Sequence, residues 1–375
     1  MSSRHLHIIS FDIPWPADYG GVIDVFYQIK ALSEAGVKIH LHCFVYGGRK
    51  PEAELEKYCE TVSYYKRRTG IVSLLSPLPY IIKSRMSDEL TNNLLKDDYP
   101  IVCQGFHSCG IVTDKRFENR RVILRAANVE HEYYAGLAKD ERNPLKKLYY
   151  FLESRKLHKY SRLQEKAKTV IAISDTDAAY FRKTFPALKV VRIYGFNALD
   201  KVETIQGNGT YALFHGNLSV RENSDAAMFL IKKVAPLTDF KIIIAGKNPT
   251  EDIIRAAKTQ NNTEIIANPQ SETMGDLIRN AHIQLMLTFR PAGFKLKLIV
   301  SLFRGRFVVA NDGILTGTTL ADCVVKANTA EEIAAAINNL ARKEFTAKDT
   351  EHRNRCLSDD YHNKSKAMKM IEVVF

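Results

Sequence analysis

Thr288-Phe289-Arg290-Pro291-Ala292-Gly293-Phe294-Lys295-Leu296-Lys297-Leu298 is the stretch on which the reading of this chain turns. The apolar run Ile283–Thr288 ahead of it has the length and β-branched character of a buried strand. Pro291 and Gly293 then break the pattern, and Leu296–Phe303 resumes at helical spacing. Strand, tight loop and helix in this order make half of a βαβ unit. Lys295 and Lys297 fall in the first turn of the helix, where cations oppose the helix dipole. Such a placement suits a site where an anion shares the free N–H groups and both ammonium groups.

The same alternation extends along the chain in both directions. Towards the N-terminus, strands are predicted at His5–Ser10, Val37–Val45, Pro100–Gln104, Val122–Arg125, Thr169–Ile173 and Val190–Ile193, with helices such as Gly21–Ala35 and Asp88–Lys96 between them. The stretch Gly195–Thr210 loses periodicity and is rich in turn residues. Beyond it, strands are predicted at Tyr211–His215, Lys241–Ala245, Glu264–Ile266, Ile283–Thr288 and Phe307–Ala310, with a short one near Cys323–Lys326. Helices are predicted at Asn223–Val234, Glu251–Lys258, Met274–Ala281, Leu296–Phe303 and Asn363–Val373. The expected fold class is α/β, two Rossmann-like doubly wound domains facing a cleft, with ligands at the carboxyl ends of the strands. The expected division is 1–200, 201–360, and a C-terminal helix in 361–375 that packs back on the first domain.

A length of 375 residues suits two domains, and 45% hydrophobic with 26% charged residues is enough for two cores. No apolar run reaches membrane-spanning length, and the N-terminus runs into a strand without a signal-peptide core, so a cytoplasmic place is expected. The cysteines at 43, 59, 103, 109, 323 and 356 form no CxxC pair and read as reduced, mostly buried thiols. Fifty-four basic against 42 acidic residues give a net charge of +12. That charge admits nucleotide phosphates or an anionic membrane surface. Nucleic acid has no motif beyond charge to recommend it and is not expected as a partner.

Several segments together resemble the family-four retaining glycosyltransferases of GT-B fold. Gly293-Phe294-Lys295-Leu296-Lys297-Leu298 through Gly305-Arg306-Phe307-Val308-Val309 resembles their donor signature. Phe214-His215-Gly216-Asn217, Ile242–Pro249 and the Arg125-Ala126-Ala127-Asn128-Val129-Glu130-His131-Glu132-Tyr133-Tyr134 segment match in order and spacing. The resemblance implies transfer of a sugar from a nucleotide-sugar donor to a glycan or lipid-linked acceptor, without metal or other cofactor. It implies a donor site at Gly216, Lys247, Arg290, Gly293, Phe294, Lys295 and Lys297, with the cations neutralising the diphosphate leaving group. On the acceptor side it implies His107 and Glu130 as catalytic groups and Gly20 and Gly21 as a ligand-hugging or phosphate loop. Two departures matter. Val300 and Ala292 stand where the family usually places the carboxylates that meet ribose and sugar, and one charge-assisted bond is worth about 1.5–3 kcal/mol. A degenerate relative that binds nucleotide or glycan as a partner protein is therefore the alternative.

Asp175-Thr176-Asp177 spells a metal-binding D-x-D, but it opens a helix after Ser174, so capping explains it better. Ile71–Arg85 is apolar and ends in Lys83 and Arg85. Lys139–Lys168 interleaves basic residues with Leu145, Leu148, Tyr149, Leu152, Leu157 and Tyr160. Either suits an interfacial anchor on the inner face of the plasma membrane, and equally a charged face over an ordinary core.

Overall fold

The computed structural model describes residues 4–289, 295–357 and 359–375. The chain divides into two compact units. One runs to Asn197 and takes in Asn363–Phe375, and the other is Ala198–His362.

The first unit is built on strands β1 (Arg4–Ser10), β2 (Val37–Val45), β3 (Thr61–Lys66), β4 (Ile101–Gln104), β5 (Val122–Ala126), β6 (Thr169–Ala172) and β7 (Lys189–Arg192). They form a seven-stranded sheet in the order β3-β2-β1-β4-β5-β6-β7, every pairing parallel. Parallel strands need crossovers, and helices supply them: α1 (Gly20–Glu34), α2 (Ile71–Leu74), α3 (Tyr80–Lys83), α4 (Asp88–Leu94), α5 (Glu130–Asp140), α6 (Pro144–Lys159) and α7 (Asp175–Thr184). Alternate residues of each central strand enter opposite cores. Leu6, Ile8 and Val102 join one, while Ile9, Ile101 and Cys103 join the other.

The second unit repeats the scheme with β8 (Tyr211–Asn217), β9 (Lys241–Lys247), β10 (Thr263–Ala267), β11 (Ile283–Met286), β12 (Phe307–Ala310) and β13 (Val325–Lys326). Their order is β10-β9-β8-β11-β12-β13, again all parallel. Its helices are α8 (Arg221–Phe229), α9 (Glu251–Ala257), α10 (Ser271–Asn280), α11 (Leu296–Arg304), α12 (Asp312–Leu315), α13 (Ala330–Leu340) and α14 (Ala347–Cys356). The helix expected over Asn223–Val234 is α8 followed by a π-helical turn, Leu230–Val234.

The last helix, α15 (Asn363–Val374), belongs to the first unit. Its Ala367, Met370, Ile371 and Val374 share a core with Val25 and Ile29 of α1. Gln28 Nε2 donates to Met370 Sδ at 2.8 Å, Lys366 Nζ to the Gly195 carbonyl at 2.8 Å, and Asn363 Nδ2 to the Asn197 carbonyl at 2.7 Å.

Both sheets reverse strand order at one place, between β1 and β4 in the first and between β8 and β11 in the second. At such a switch point the loops leaving two neighbouring strands part to opposite faces, and a crevice opens at the carboxyl ends.

Candidate functional site

The second unit's switch point gathers residues from four elements. β8 ends in His215, Gly216 and Asn217, and its carbonyl at Gly216 lies close to Gly246 at the end of β9. A Cβ added to Gly246 would stand 1.8 Å from that oxygen, so only glycine lets the two strand ends approach. From the first turn of α8, Glu222 Oε1 accepts from Thr288 Oγ1 at 2.6 Å and from Lys295 Nζ at 2.8 Å. Lys295 caps the N-terminus of α11, and Lys297 lies in its first turn, which holds no acidic residue.

Lys297 Nζ donates to Asn223 Oδ1 at 2.9 Å and stands 5.1 Å from the centre of the Phe214 ring. Burial lowers its pKa to about 8, with Lys295 adding to the fall and Glu222 opposing it. Beneath it, His215 Nε2 meets Ser301 Oγ at 3.3 Å. Burial, then the Lys297 charge, lowers the His215 pKa to about 3, so this imidazole is neutral. Thr288 is held in turn by Asn311, whose Nδ2 donates to its carbonyl at 2.8 Å. The arrangement is a half-buried cluster of two ammonium groups at a helix N-terminus, with a carboxylate, an amide oxygen and the Leu287 carbonyl among their partners. An oxyanion ligand could take over those donors.

Lys295, Lys297 and Gly216 thus converge at this crevice. Lys247 ends β9 on the same edge of the sheet, exposed. Arg290, Ala292, Gly293 and Phe294 lie outside the described residues. Val300 packs on an apolar cluster that includes Leu213, Ile243 and Ile278. Glu222 has no counterpart among the residues the sequence pointed to. Its only signal there is an acidic residue one place before Asn223 at a helix start.

At the first unit's switch point, the loop after β1 is organised by Asp12. This residue accepts from Ile13 N and Tyr19 OH, both at 2.8 Å, and pairs with Arg49 at 3.5 Å. Arg49 also donates to the Pro16 carbonyl at 3.0 Å, pairs with Asp18, and lies over the Tyr19 ring. Gly20 and Gly21 then open α1. A Cβ on Gly21 would meet the Phe11 ring at 2.9 Å, whereas one on Gly20 would meet nothing within 4 Å. A side chain at 21 would have to displace the Phe11 ring, whereas one at 20 would meet open space.

Across the switch point, β4 ends and Gly105, at φ 70°, turns the chain into the 3-10 run that carries His107. His107 Nδ1 is buried without a hydrogen-bond partner and stands 3.7 Å from Glu130 Oε1, at the start of α5. Burial raises the Glu130 pKa to about 8 against the opposing pull of Arg85. Burial, then Arg85 and Arg67, pushes His107 well below the ordinary histidine value. Near neutral pH Glu130 is held as the carboxylic acid and His107 as the neutral imidazole, close but not hydrogen-bonded. Arg85 itself is fixed by bonds to the Phe11 and Ile81 carbonyls at 2.9 and 3.0 Å.

His131 departs from Glu130. Its ring packs edge-on against His158 at 4.9 Å, over α6. Arg125 is buried on Asp24 Oδ1 at 2.7 Å, and Asp24 also accepts from Phe196 N at 2.6 Å, a structural tie that the sequence did not announce. Asp177 N donates to the Ser174 cap at 3.1 Å, and Asp175 pairs with Arg192 at 2.9 Å, which accounts for the D-x-D as a helix start.

Residues 209–343 match the family profile described as "Glycosyl transferases group 1". Over 359 residues the chain is 27% identical to an "Uncharacterized 44.6 kDa protein in cps region" of Klebsiella pneumoniae, covering 89% of this chain and 90% of that one. Its fold is similar to that of sucrose-phosphate synthase from Thermosynechococcus elongatus, with TM-score 0.70, 15% identity, and 99% and 98% of the two chains covered. It is similar also to Anabaena HepE, solved in complex with UDP and glucose, with TM-score 0.65, 13% identity and 99% of each chain covered. Residues 209–343 are therefore a Glycosyl transferases group 1 domain, set in a chain with the two-sheet fold of GT-B glycosyltransferases.

Proposed function

We infer that this protein moves a sugar from a nucleotide-sugar donor to a glycan or lipid-linked acceptor, with retention and without a metal. The observation that carries the reading is the pair of half-buried lysines at the switch point of the second unit, inside the matched domain. A nucleotide diphosphate bound there would displace Glu222 and Asn223 as partners of Lys295 and Lys297. The two ammonium groups would then stabilise the charge that grows on the diphosphate as the glycosidic bond breaks. Lys247 and Arg290 are proposed as further donor-side cations, and Gly216, Gly293 and Phe294 as backbone contacts.

On the first unit, His107 and Glu130 are proposed as the groups that meet the reacting sugar and acceptor hydroxyl, beside Gly20 and Gly21. The UDP and glucose bound by HepE support a nucleotide-sugar donor. The cps-region relative supports a part in polysaccharide biosynthesis.

Calorimetric titration with nucleoside diphosphates tests the donor site. Lys295→Ala/Lys297→Ala is expected to weaken binding at least tenfold with little change in the melting temperature. Parent affinity should also fall as pH rises through about 8, where Lys297 loses its charge. Unchanged affinity in the double variant would sink the phosphate placement.

A second reading is favoured by Val300, which is committed to an apolar cluster and offers no carboxylate to a ribose. On that reading the chain binds nucleotide or glycan as a partner protein. Tight nucleotide binding with no donor turnover on any acceptor would select it.

A further inference from the structure

The Lys139–Lys168 segment is not one helix. It comprises the end of α5, a turn, α6 started by the Asn143 cap and Pro144, and a 3-10 stretch. Of α6 only Glu153 and Leu157 are buried. Its apolar side chains do not form an ordinary core face. Leu145 is 78% exposed, and Leu148, Phe151 and Leu152 continue the stripe at helical spacing.

Beside it stands the other apolar segment. Ile71, Val72 and Leu75 are 73%, 81% and 77% exposed. Lys156 Nζ donates to the Leu74 carbonyl at 3.0 Å and Tyr80 N to Glu153 Oε2 at 2.7 Å, which fixes α2 and α3 against α6. Leu74, Leu75, Leu145, Leu148 and Leu152 line a single groove of about 1120 Å³. An apolar face this continuous ordinarily has a partner.

The charges around it say which. Lys146, Lys147, Arg155 and Lys159 are exposed on the same helix, while its one acidic residue, Glu153, is buried and paired with Lys156 at 2.8 Å. Arg155 and Lys159, four residues apart on the helix, line the groove itself, so cations stand at its rim. A second copy of the chain meeting this face across a two-fold axis would oppose like charges. We propose that α6 and α2 dock the protein on an anionic lipid bilayer. The aliphatic side chains enter the acyl boundary, and the lysines meet lipid phosphates. The surface lies wholly on the first unit, so it does not depend on the donor site.

Co-sedimentation of the full chain with phosphatidylcholine vesicles, with and without phosphatidylglycerol, tests this. Binding should require the anionic lipid and fall with added salt. Leu145→Ser/Leu148→Ser and, separately, Lys146→Glu/Lys147→Glu should each weaken it about tenfold or more. All four side chains are exposed, so both variants should melt with the parent. Equal binding to neutral vesicles, or variants that sediment like the parent, would overturn the proposal. So would a halving of the molar mass in light scattering on the leucine substitutions, which would give the face to a second copy.

Discussion

Glu130 is the residue whose environment departs furthest from its sequence neighbourhood. A glutamate at a helix start is ordinarily solvated and ionised, yet burial holds this one protonated up to about pH 8. If it takes a proton from an acceptor hydroxyl, its active form is the carboxylate, and kcat/KM should rise with pH through about 8. Glu130→Gln should remove that limb and lower kcat by about 10²–10⁴-fold, measured as transfer over a pH series. A pH profile unchanged in the variant would discard the role. The lysines at 295 and 297 were legible because basic residues at a helix N-terminus contradict the dipole rule. Glu222 was not, because an acidic residue there obeys the rule and attracts no notice. Only the fold brings its carboxylate within 2.8 Å of a lysine 73 residues away.

Strand positions were legible in β1 and β2, where Leu6 and Ile8, and Val37, Ile39 and Leu41, alternate with polar residues, and in β12, a short apolar run bounded by turn residues. The strand β3 escaped notice. Thr61-Val62-Ser63-Tyr64-Tyr65-Lys66 lies at the sheet edge with only Tyr65 buried, so its pattern is half polar. The pairing of β1 with β2, and of β2 with β3, lines up a relay that the sequence also concealed. Asp97 accepts, so His7 Nε2 donates to it at 2.9 Å, and with His7 neutral its Nδ1 accepts. His42 Nε2 then donates to His7 at 2.9 Å, and Tyr65 OH donates to His42 Nδ1 at 2.8 Å. Asn93 Nδ2 of α4 completes the chain by donating to Tyr65 at 2.9 Å. This direction of donation holds with both rings neutral. Burial lowers both histidines, His42 to about 3, although Asp97 pulls the other way, while His40 (on both) and Arg120 (on His7) add to the fall. Unfolded histidine titrates near 6.5, so this stability is complete above that pH and drains away as pH falls towards 3. For His42 alone the loss reaches about 5 kcal/mol. The urea midpoint should drop between pH 7 and pH 5, and less steeply in His42→Gln.

At the scale of the whole molecule, the alternation of strands and helices announced two doubly wound units. The chain leaves the first unit at Asn197 and returns at Asn363. Deleting residues 363–375 removes Met370, Ile371 and Val374 from the α1 face, at about 1.5–3 kcal/mol each, and strips the Gly195 and Asn197 carbonyls of their partners. That is a large share of the roughly 5–15 kcal/mol that holds a domain together. The single tryptophan, Trp15, packs on Phe26 at 4.7 Å in the first unit, so its fluorescence reports on that unit alone. The deletion should move the fluorescence transition to markedly lower urea and leave nucleotide binding by the second unit in place. The return of α15 also sets a timetable for synthesis. On the ribosome the first sheet is complete once β7 has emerged, but its last covering helix follows the whole of Ala198–His362. At about 5–20 residues per second that is a wait of roughly ten to thirty seconds. The unit that is translated first is the last to be finished, and during that interval the bare stripe of α1 is what a chaperone would have to cover.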